Sequence, residues 1–328
     1  MRVVIVGCGL IGRKRARTLG NEHQLIAAVD AVLERAQSLA GSFAGAIATT
    51  DVGEAVNRTD VDAVIVATTN EHLAPMSLVA IEAGKHVLVE KPAARNSAEL
   101  HPLIDASESR NVCVQVGFNH RYHPGFRKAR EIVDSGALGP LMFIRGRYGH
   151  GGRLGYEKEW RAIPEIAGGG ELLDQGVHLI DLAGWFLGPF AHVDGYAHTY
   201  FWDMPVEDNG FLLLRTDHDQ IAQLHASCTE WKNLFSFEIY GRNGKLHVEG
   251  LGGSYGVERL YWYKMLPRMG PPETTIWEFP GEDLSWSLEL EAFRHFIQRH
   301  EIPSPGLREA VAALHIVEEI YRKTTNSQ

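Results

Sequence analysis

The chain has 328 residues, 45% hydrophobic and 22% charged, which fits an ordinary globular protein and is long enough for two domains. Its 32 Lys and Arg against 41 Asp and Glu give a net charge of −9, which argues against a general nucleic-acid binder or a basic membrane-surface protein. Cys8, Cys113 and Cys228 are too far apart for a disulfide framework or a metal-ligand spacing, so a reduced, cytoplasmic setting is expected.

Met1-Arg2 leads directly into Val3–Val6, a β-branched run suited to a strand buried on both faces and shorter than a secretory or membrane-spanning segment. Gly7-Cys8-Gly9-Leu10-Ile11-Gly12 follows, and a helical segment continues through Leu19. Strand, G-x-G-x-x-G and helix in that order predict a dinucleotide cradle. Gly7, Gly9 and Gly12 let the backbone approach a pyrophosphate, with Leu10 and Ile11 at the helix start where negative charge is favoured. The second strand, Leu25–Val29, ends in Asp30. A carboxylate there accepts hydrogen bonds from the adenine ribose and repels a 2′-phosphate, so NAD is expected over NADP; Arg35 nearby would soften the preference.

Val61–Ala67 predicts a strand whose carboxyl end carries Thr68-Thr69-Asn70-Glu71-His72. Ligands of an open parallel sheet meet such strand ends, which makes Thr68 and Asn70 cofactor neighbours; His72 is either another or simply the opening of the next helix. His86–Val89 predicts a further strand, ending in Glu90-Lys91-Pro92. A lysine at a strand end beside a cofactor is a catalytic candidate. The alternative is a surface ion pair with Glu90, although strand neighbours point to opposite faces. A prolyl bond at Pro92 can be cis, which would aim the lysine. A helix over Ala98–Ser109 and the strand Val112–Gly117 complete the expected doubly wound parallel sheet.

The pattern changes after Gly117. A helix is predicted over Phe126–Ser135 and a strand over Leu141–Arg147. The glycine-rich stretch Tyr148–Arg161 reads as a loop, with Tyr148, Arg153, Trp160 and Arg161 as candidate substrate-binding residues. Arginine offers paired donors and aromatic rings stack on sugars or bases. The alternative is a solvated loop whose charge Glu157 and Glu159 cancel. Gly168-Gly169-Gly170 then predicts a turn, followed by one helix that places Asp174, His178 and Asp181 on a shared stripe. An imidazole one turn from a carboxylate suits acid/base chemistry. The competing readings are satisfied core polar groups, or a metal site for which the sequence offers no further ligands, so no metal is expected. Gly176, inside this helix, implies a close approach by another group.

From Ala191 onward strands are predicted in succession, and Phe235, Phe237 and Ile239 alternate with Ser236, Glu238 and Tyr240 as in a sheet buried on one face. The second fold class is therefore α+β, built on a large open, mostly antiparallel sheet. Its other face is expected to pair chains into a homodimer or homotetramer. Helices Trp286–Arg299 and Leu307–Arg322 close the chain, the last packing back on the first domain. The expected division is an NAD-binding domain over 1–119 and a substrate-binding and oligomerisation domain over 120–328.

The fingerprint at Gly7, Thr68-Thr69-Asn70-Glu71-His72, Glu90-Lys91-Pro92, Gly117-Phe118-Asn119-His120-Arg121-Tyr122 and Gly168–Asp181 occur in an order that resembles the glucose–fructose oxidoreductase / inositol dehydrogenase / MocA family. The resemblance covers nearly the whole chain. It implies a Rossmann domain followed by an α+β domain, and nicotinamide-dependent oxidation or reduction of sugars, polyols or nucleotide-sugars. It carries Lys91, Asp174 and His178 over as an active-site trio and Arg121 as a residue of the cofactor and substrate loop. His120 departs from the pattern, many relatives having a second arginine there.

The expected reaction is hydride transfer between a secondary hydroxyl and nicotinamide. His178 acts as base, Lys91 stabilises the same oxygen, and Asp174 orients the imidazole or a substrate hydroxyl; Lys91 and His178 could exchange roles. The rival readings are a redox-neutral, NAD-assisted elimination or glycoside cleavage, and a non-catalytic NAD-linked sensor. The expected partners are a small carbohydrate-type substrate and further copies of the chain, with neither nucleic acid nor membrane.

Overall fold

The Val3–Val6 run lies in β1 (Arg2–Val6), with no exposed side chain beyond Arg2, as a strand covered on both faces requires. The computed structural model describes residues 1–326. Beside β1 lie β2 (Gln24–Val29), β3 (Ile47–Thr49), β4 (Ala63–Val66), β5 (His86–Glu90) and β6 (Val114–Gly117), in the all-parallel order β3-β2-β1-β4-β5-β6. The order reverses between β1 and β4, so the switch point of this sheet lies where Gly7 and Ala67-Thr68 emerge. Helices α1 (Leu10–Arg17), α2 (Leu33–Ala40), α3 (Val52–Val56), α4 (Asn70–Glu82) and α5 (His101–Arg110) connect the strands. β3 has only three residues, all half-buried, and no apolar run in the sequence marks it.

The second sheet has eight strands in the order β14-β13-β12-β11-β7-β10-β9-β8. They are β7 (Leu141–Gly149), β8 (His192–His198), β9 (Asn209–Arg215), β10 (Ile221–Ser227), β11 (Leu234–Gly241), β12 (Gly244–Glu249), β13 (Glu258–Lys264) and β14 (Glu273–Phe279). Only β7 and β10 pair in parallel. Along β11, Phe235, Phe237 and Ile239 are buried while their neighbours are half-exposed. Helices α6 (Pro124–Asp134) and α8 (Val177–Leu187) cover that inner face, where Phe126 meets Phe235 and Phe237 at 5.7 and 5.3 Å between ring centroids. The outer face leaves Tyr196, Phe211, Leu213 and Ile221 exposed.

The chain does not divide at one point. Met1–Phe118, Glu165–Gly168 and Trp286–Leu314 form one unit; Asn119–Pro164, Gly169–Ser285 and the chain from His315 form the other. The returning segments carry α7 (Pro164–Ala167), α9 (Ser285–Arg299) and the start of α10 (Leu307–Asn326). Leu290 and Phe293 of α9 complete the apolar core of the first unit around Val3, Ile5, Leu25 and Leu88, which is why this late segment folds with the early one. Among the described residues, no helix is long and apolar enough to cross a membrane.

The continuous α-helix expected after Gly170 is not formed. Leu172–Gly176 is a wider, π-helical turn, and α8 begins only at Val177. Gly176 faces a crowded spot: a Cβ there would lie 2.8 Å from Leu172 Cδ1 and 3.4 Å from Ala226 Cβ of β10.

Candidate active site

In the first unit, the fingerprint closes on itself. Gly7 has φ +94°, and a Cβ there would lie 2.5 Å from the Ala67 carbonyl oxygen and 2.9 Å from the Thr68 nitrogen. A Cβ at Gly12 would overlap the Gly7 carbonyl. These contacts pull α1 against the ends of β1 and β4. Gly9, by contrast, borders open space, with no heavy atom of the described residues within 4 Å of a Cβ built there. No side chain caps the first turn at Leu10 and Ile11, whose N–H groups lack intrahelical acceptors. An uncapped helix start with room in front of it fits a pyrophosphate.

Asp30 lies at the end of β2, half-buried. Its Oδ2 accepts from the Cys8 N–H at 2.8 Å and its Oδ1 from the Val32 N–H at 2.9 Å. The carboxylate is thus tied to the fingerprint loop, and each oxygen keeps a lone pair for a ribose hydroxyl. The Cys8 thiol, buried beside it, is pushed up to about 12, first by burial and then by the Asp30 charge. Thr68 contributes backbone to the Gly7 contact, and its hydroxyl donates to the Thr69 carbonyl. Asn70 is buried at the first position of α4 and donates to the Ala167 carbonyl at 2.8 Å. His72 sits in the first turn of the same helix, largely exposed and 3.5 Å from Glu71.

Glu90 does not lie at the surface. It is buried, and its Oε1 accepts from Arg15 Nε at 2.6 Å. Arg15 Nη1 lies 2.6 Å from Glu289 of α9, and its guanidinium stands 4.4 Å from the Trp286 ring. Burial opposes the Arg15 charge, but the two glutamates outweigh it and hold the guanidinium protonated. Lys91 follows on the next residue, half-buried, and the Lys91–Pro92 peptide is cis.

In the second unit, His178 opens α8 and is buried at 4% exposure. Its ring stacks on that of His120, with centroids 3.8 Å apart and planes 15° from parallel. Tyr148 of β7, also buried, meets His120 at 5.1 Å and His178 at 6.1 Å. Burial, then the charge and hydrogen bond of Tyr255, drive the Tyr148 hydroxyl far above its ordinary range.

The expected stripe of Asp174, His178 and Asp181 is divided among three partners. Asp174 Oδ2 accepts from Arg161 Nε at 3.0 Å, and the Arg161 guanidinium lies 4.6 Å from the Trp160 ring. Asp181 takes a bidentate pair with Arg121, at 2.8 and 2.6 Å, both side chains buried. Among the described residues, no group of three or more His, Cys, Asp or Glu side chains is placed to hold a metal ion. Arg153 stays at the surface, 2.6 Å from Glu159, whereas Trp160 and Arg161 are half-buried on 3₁₀ turns.

Two further groups shape this part of the second unit. Glu207, buried, accepts from the Gly170 and Leu172 N–H groups, each at 3.0 Å, and from the Tyr321 hydroxyl at 2.7 Å. It therefore caps the π-helical turn that carries Asp174. His150 accepts from the Gly152 N–H through Nδ1 at 2.9 Å and places Nε2 3.6 Å from Glu171; burial lowers its proton affinity. The sequence reading missed Arg15, Glu289 and Glu207. Each acts across a large sequence separation, which no local pattern records.

Comparison with known proteins agrees with both units. Residues 1–118 match the family model described as the oxidoreductase family, NAD-binding Rossmann fold, and residues 126–247 match the GFO/IDH/MocA C-terminal domain. A levoglucosan dehydrogenase of Pseudarthrobacter phenanthrenivorans is 32% identical over 179 residues, 54% of this chain and 46% of its own length. Inositol 2-dehydrogenase 2 of Saccharopolyspora erythraea is 31% identical over 236 residues, 68% of this chain and 66% of its own. The chain thus spans between about half and two thirds of the length of these curated relatives. A solved structure of levoglucosan dehydrogenase in complex with NADH and L-sorbose superposes with a TM-score of 0.88 over 99% of this chain and 97% of that one, at 22% identity, a likeness of fold.

Proposed function

The chain belongs to the glucose–fructose oxidoreductase / inositol dehydrogenase / MocA family, and on that premise we propose that it is an NAD-dependent dehydrogenase acting on a secondary hydroxyl of a sugar, polyol or nucleotide-sugar. The observation that carries this reading is the intact cradle of Gly7, Gly9 and Gly12, with Asp30 anchored to it by the Cys8 N–H. The substrate class draws on the relatives, which are named for levoglucosan and inositol. NAD, when bound, supplies the hydride acceptor.

The chain's own residues handle the proton and the charge. The carbinol C–H bond breaks with both its electrons leaving as hydride, and the hydroxyl proton must leave as the carbonyl forms. His178 takes that proton as general base. Lys91 donates a hydrogen bond to the same oxygen and stabilises its growing negative charge. Asp174, held by Arg161, orients a substrate hydroxyl or the imidazole. Thr68, Asn70, His72, Glu90 and Arg121 belong around the cofactor, with Glu90 and Arg121 acting through the ion pairs they form with Arg15 and Asp181. Tyr148, Trp160 and Arg161 line the substrate side; Arg153 lies further out. The enzyme works in the cytoplasm as a homodimer or homotetramer joined through the outer face of the second sheet.

The test is a screen of the purified protein with NAD and a panel of sugars, polyols, uronates and nucleotide-sugars, reading NADH absorbance and product mass. NADH formed together with a product two hydrogens lighter than its substrate is expected. A product of altered structure with no free NADH released would replace this reading with a redox-neutral one.

A further inference from the structure

We propose that His120 is a positioning residue for His178: its imidazole, stacked face to face on that of His178, fixes the plane in which the His178 ring nitrogens lie. The inference rests on the reading of His178 as the base, and adds to it the group that holds the base in line.

The geometry is specific. A histidine ring turns about a broad, roughly two-fold torsion, so burial alone does not set its plane. A second flat ring 3.8 Å away and 15° from parallel does, because rotation of either ring would drive its edge into the face of the other. His120 has little freedom to yield. It sits in the 3₁₀ turn Asn119–Tyr122, and its chain neighbours are tied down on both sides. Asn119 donates to Ser285 Oγ at 2.8 Å, Arg121 is clamped by Asp181, and His123 stands 3.0 Å from Glu258. Around the His120 ring stand Tyr148 at 5.1 Å, His123 at 5.7 Å and Phe235 at 5.8 Å, all edge-on. His120 is thus wedged between these aromatic edges and the face of His178, at 4% exposure.

The Arg121–Asp181 pair locks the same two elements together. Asp181 lies three residues after His178 on α8, and Arg121 follows His120 in the turn. Turn and helix are therefore joined twice, once by the ion pair and once by the ring stack. Proton transfer is sensitive to misplacement of the base by as little as 1 Å, so loosening the ring should reduce turnover more than substrate binding.

The experiment compares His120→Ala, His120→Phe and His178→Ala in the full-length protein. The probe is a sugar or polyol from the panel that the unmodified enzyme oxidises, with NMR of the histidine rings as a readout that needs no substrate. In the unmodified protein the His178 carbon-bound ring protons should be shifted upfield by the stacked ring. His120→Ala should abolish that shift and lower kcat by about tenfold or more, with KM changed by less than about threefold. His120→Phe, which keeps a flat ring, should retain the shift and restore most of kcat. NAD affinity and melting temperature report whether each variant is folded. Full kcat in a folded His120→Ala, or a folded His120→Phe as impaired as the alanine variant, would overturn the proposal. If His120→Ala is fully active while His178→Ala is inactive, only the stacking role falls. If His178→Ala itself keeps full turnover, the base assignment falls and the stacking role with it.

Discussion

Arg15 and Glu90 form a buried ion pair, 2.6 Å from Nη2 to Oε1, that joins the fingerprint helix to the strand end preceding Lys91. With Glu289 on the other side of the guanidinium, one cation is shared by two carboxylates that have almost no contact with solvent. Removing one partner of such a buried pair leaves an uncompensated charge. Arg15→Ala is therefore expected to destabilise the protein by about 3–5 kcal/mol in chemical denaturation. Replacing Arg15 by Met together with Glu90→Gln and Glu289→Gln should recover part of that loss. A wild-type midpoint for Arg15→Ala would show that the pair contributes nothing.

Lys91 and His178 are assigned to one substrate oxygen. Either alanine variant should lower turnover by about 10²-fold or more. The double variant should be little worse than the more impaired single one, since groups serving one transfer act as a unit. NAD affinity should barely change, as neither residue lies in the Gly7–Gly12 loop. Losses that multiply in the double variant would mean that the two residues serve separate steps.

We propose that Asp30 sets the cofactor preference. NAD should bind at least about tenfold more tightly than NADP, equivalent to about 1.4 kcal/mol, by titration calorimetry. Asp30→Ala should narrow that gap. Because Asp30 also accepts from the Cys8 and Val32 N–H groups, it should weaken NAD binding as well. Equal or tighter binding of NADP to the unmodified protein would contradict the assignment.

The outer face of the second sheet exposes Tyr196 at 60% and Leu213 at 50% on adjacent antiparallel strands, with Phe211 and Ile221 beside them. Light scattering at micromolar concentration should give a dimer or tetramer rather than the 36.4 kDa of one chain. Leu213→Arg should shift it toward the monomer. An unmodified protein that runs as a monomer excludes this interface.

Burial holds the imidazoles of His86, His150, His225 and His247 below the ordinary histidine range. Between those lowered values and about 6.5, the unfolded chain binds more protons than the folded one. The stability these rings contribute is complete above about pH 6.5 and is lost as pH falls through the folded values. Glu207 works the other way. Burial raises it despite its hydrogen bonds, so its contribution is complete below the ordinary carboxylate range and is lost as pH rises through the raised value. The four rings predict a fall in the denaturation midpoint from about pH 7.5 to about pH 5.5, which Glu207 opposes. His247→Gln should flatten that slope; a midpoint that rises on acidification would show the sign to be wrong.

Much of this was legible in the residues because it is local. A β-branched run, three glycines and an acid at the end of the next strand are contiguous signals, and β1, α1 and Asp30 stand where they indicate. The alternation in β11 also reads directly. What stayed hidden depends on distant partners. Arg15 lies among Lys14 and Arg17 and looks like part of a solvated basic face; only the fold brings Glu90 and Glu289 around it. Glu207 carries no sign in its own neighbourhood that it caps a turn some 35 residues earlier. The stripe of Asp174, His178 and Asp181 was drawn with a period of 3.6, which the π-helical turn does not obey.

That turn also bears on how the site can change over generations. A π-helical turn holds one residue more than the α-helix around it. Deleting a single residue between Asp174 and Val177 would let this turn close as a regular α-helix and move Asp174 around the helix axis relative to α8. Asp174 would swing away from Arg161 while His178, Asp181 and their partners stayed in place. A lineage carrying this fold thus has a route to re-aim its carboxylate by a one-codon deletion, without substituting any residue that the helix beyond it relies on.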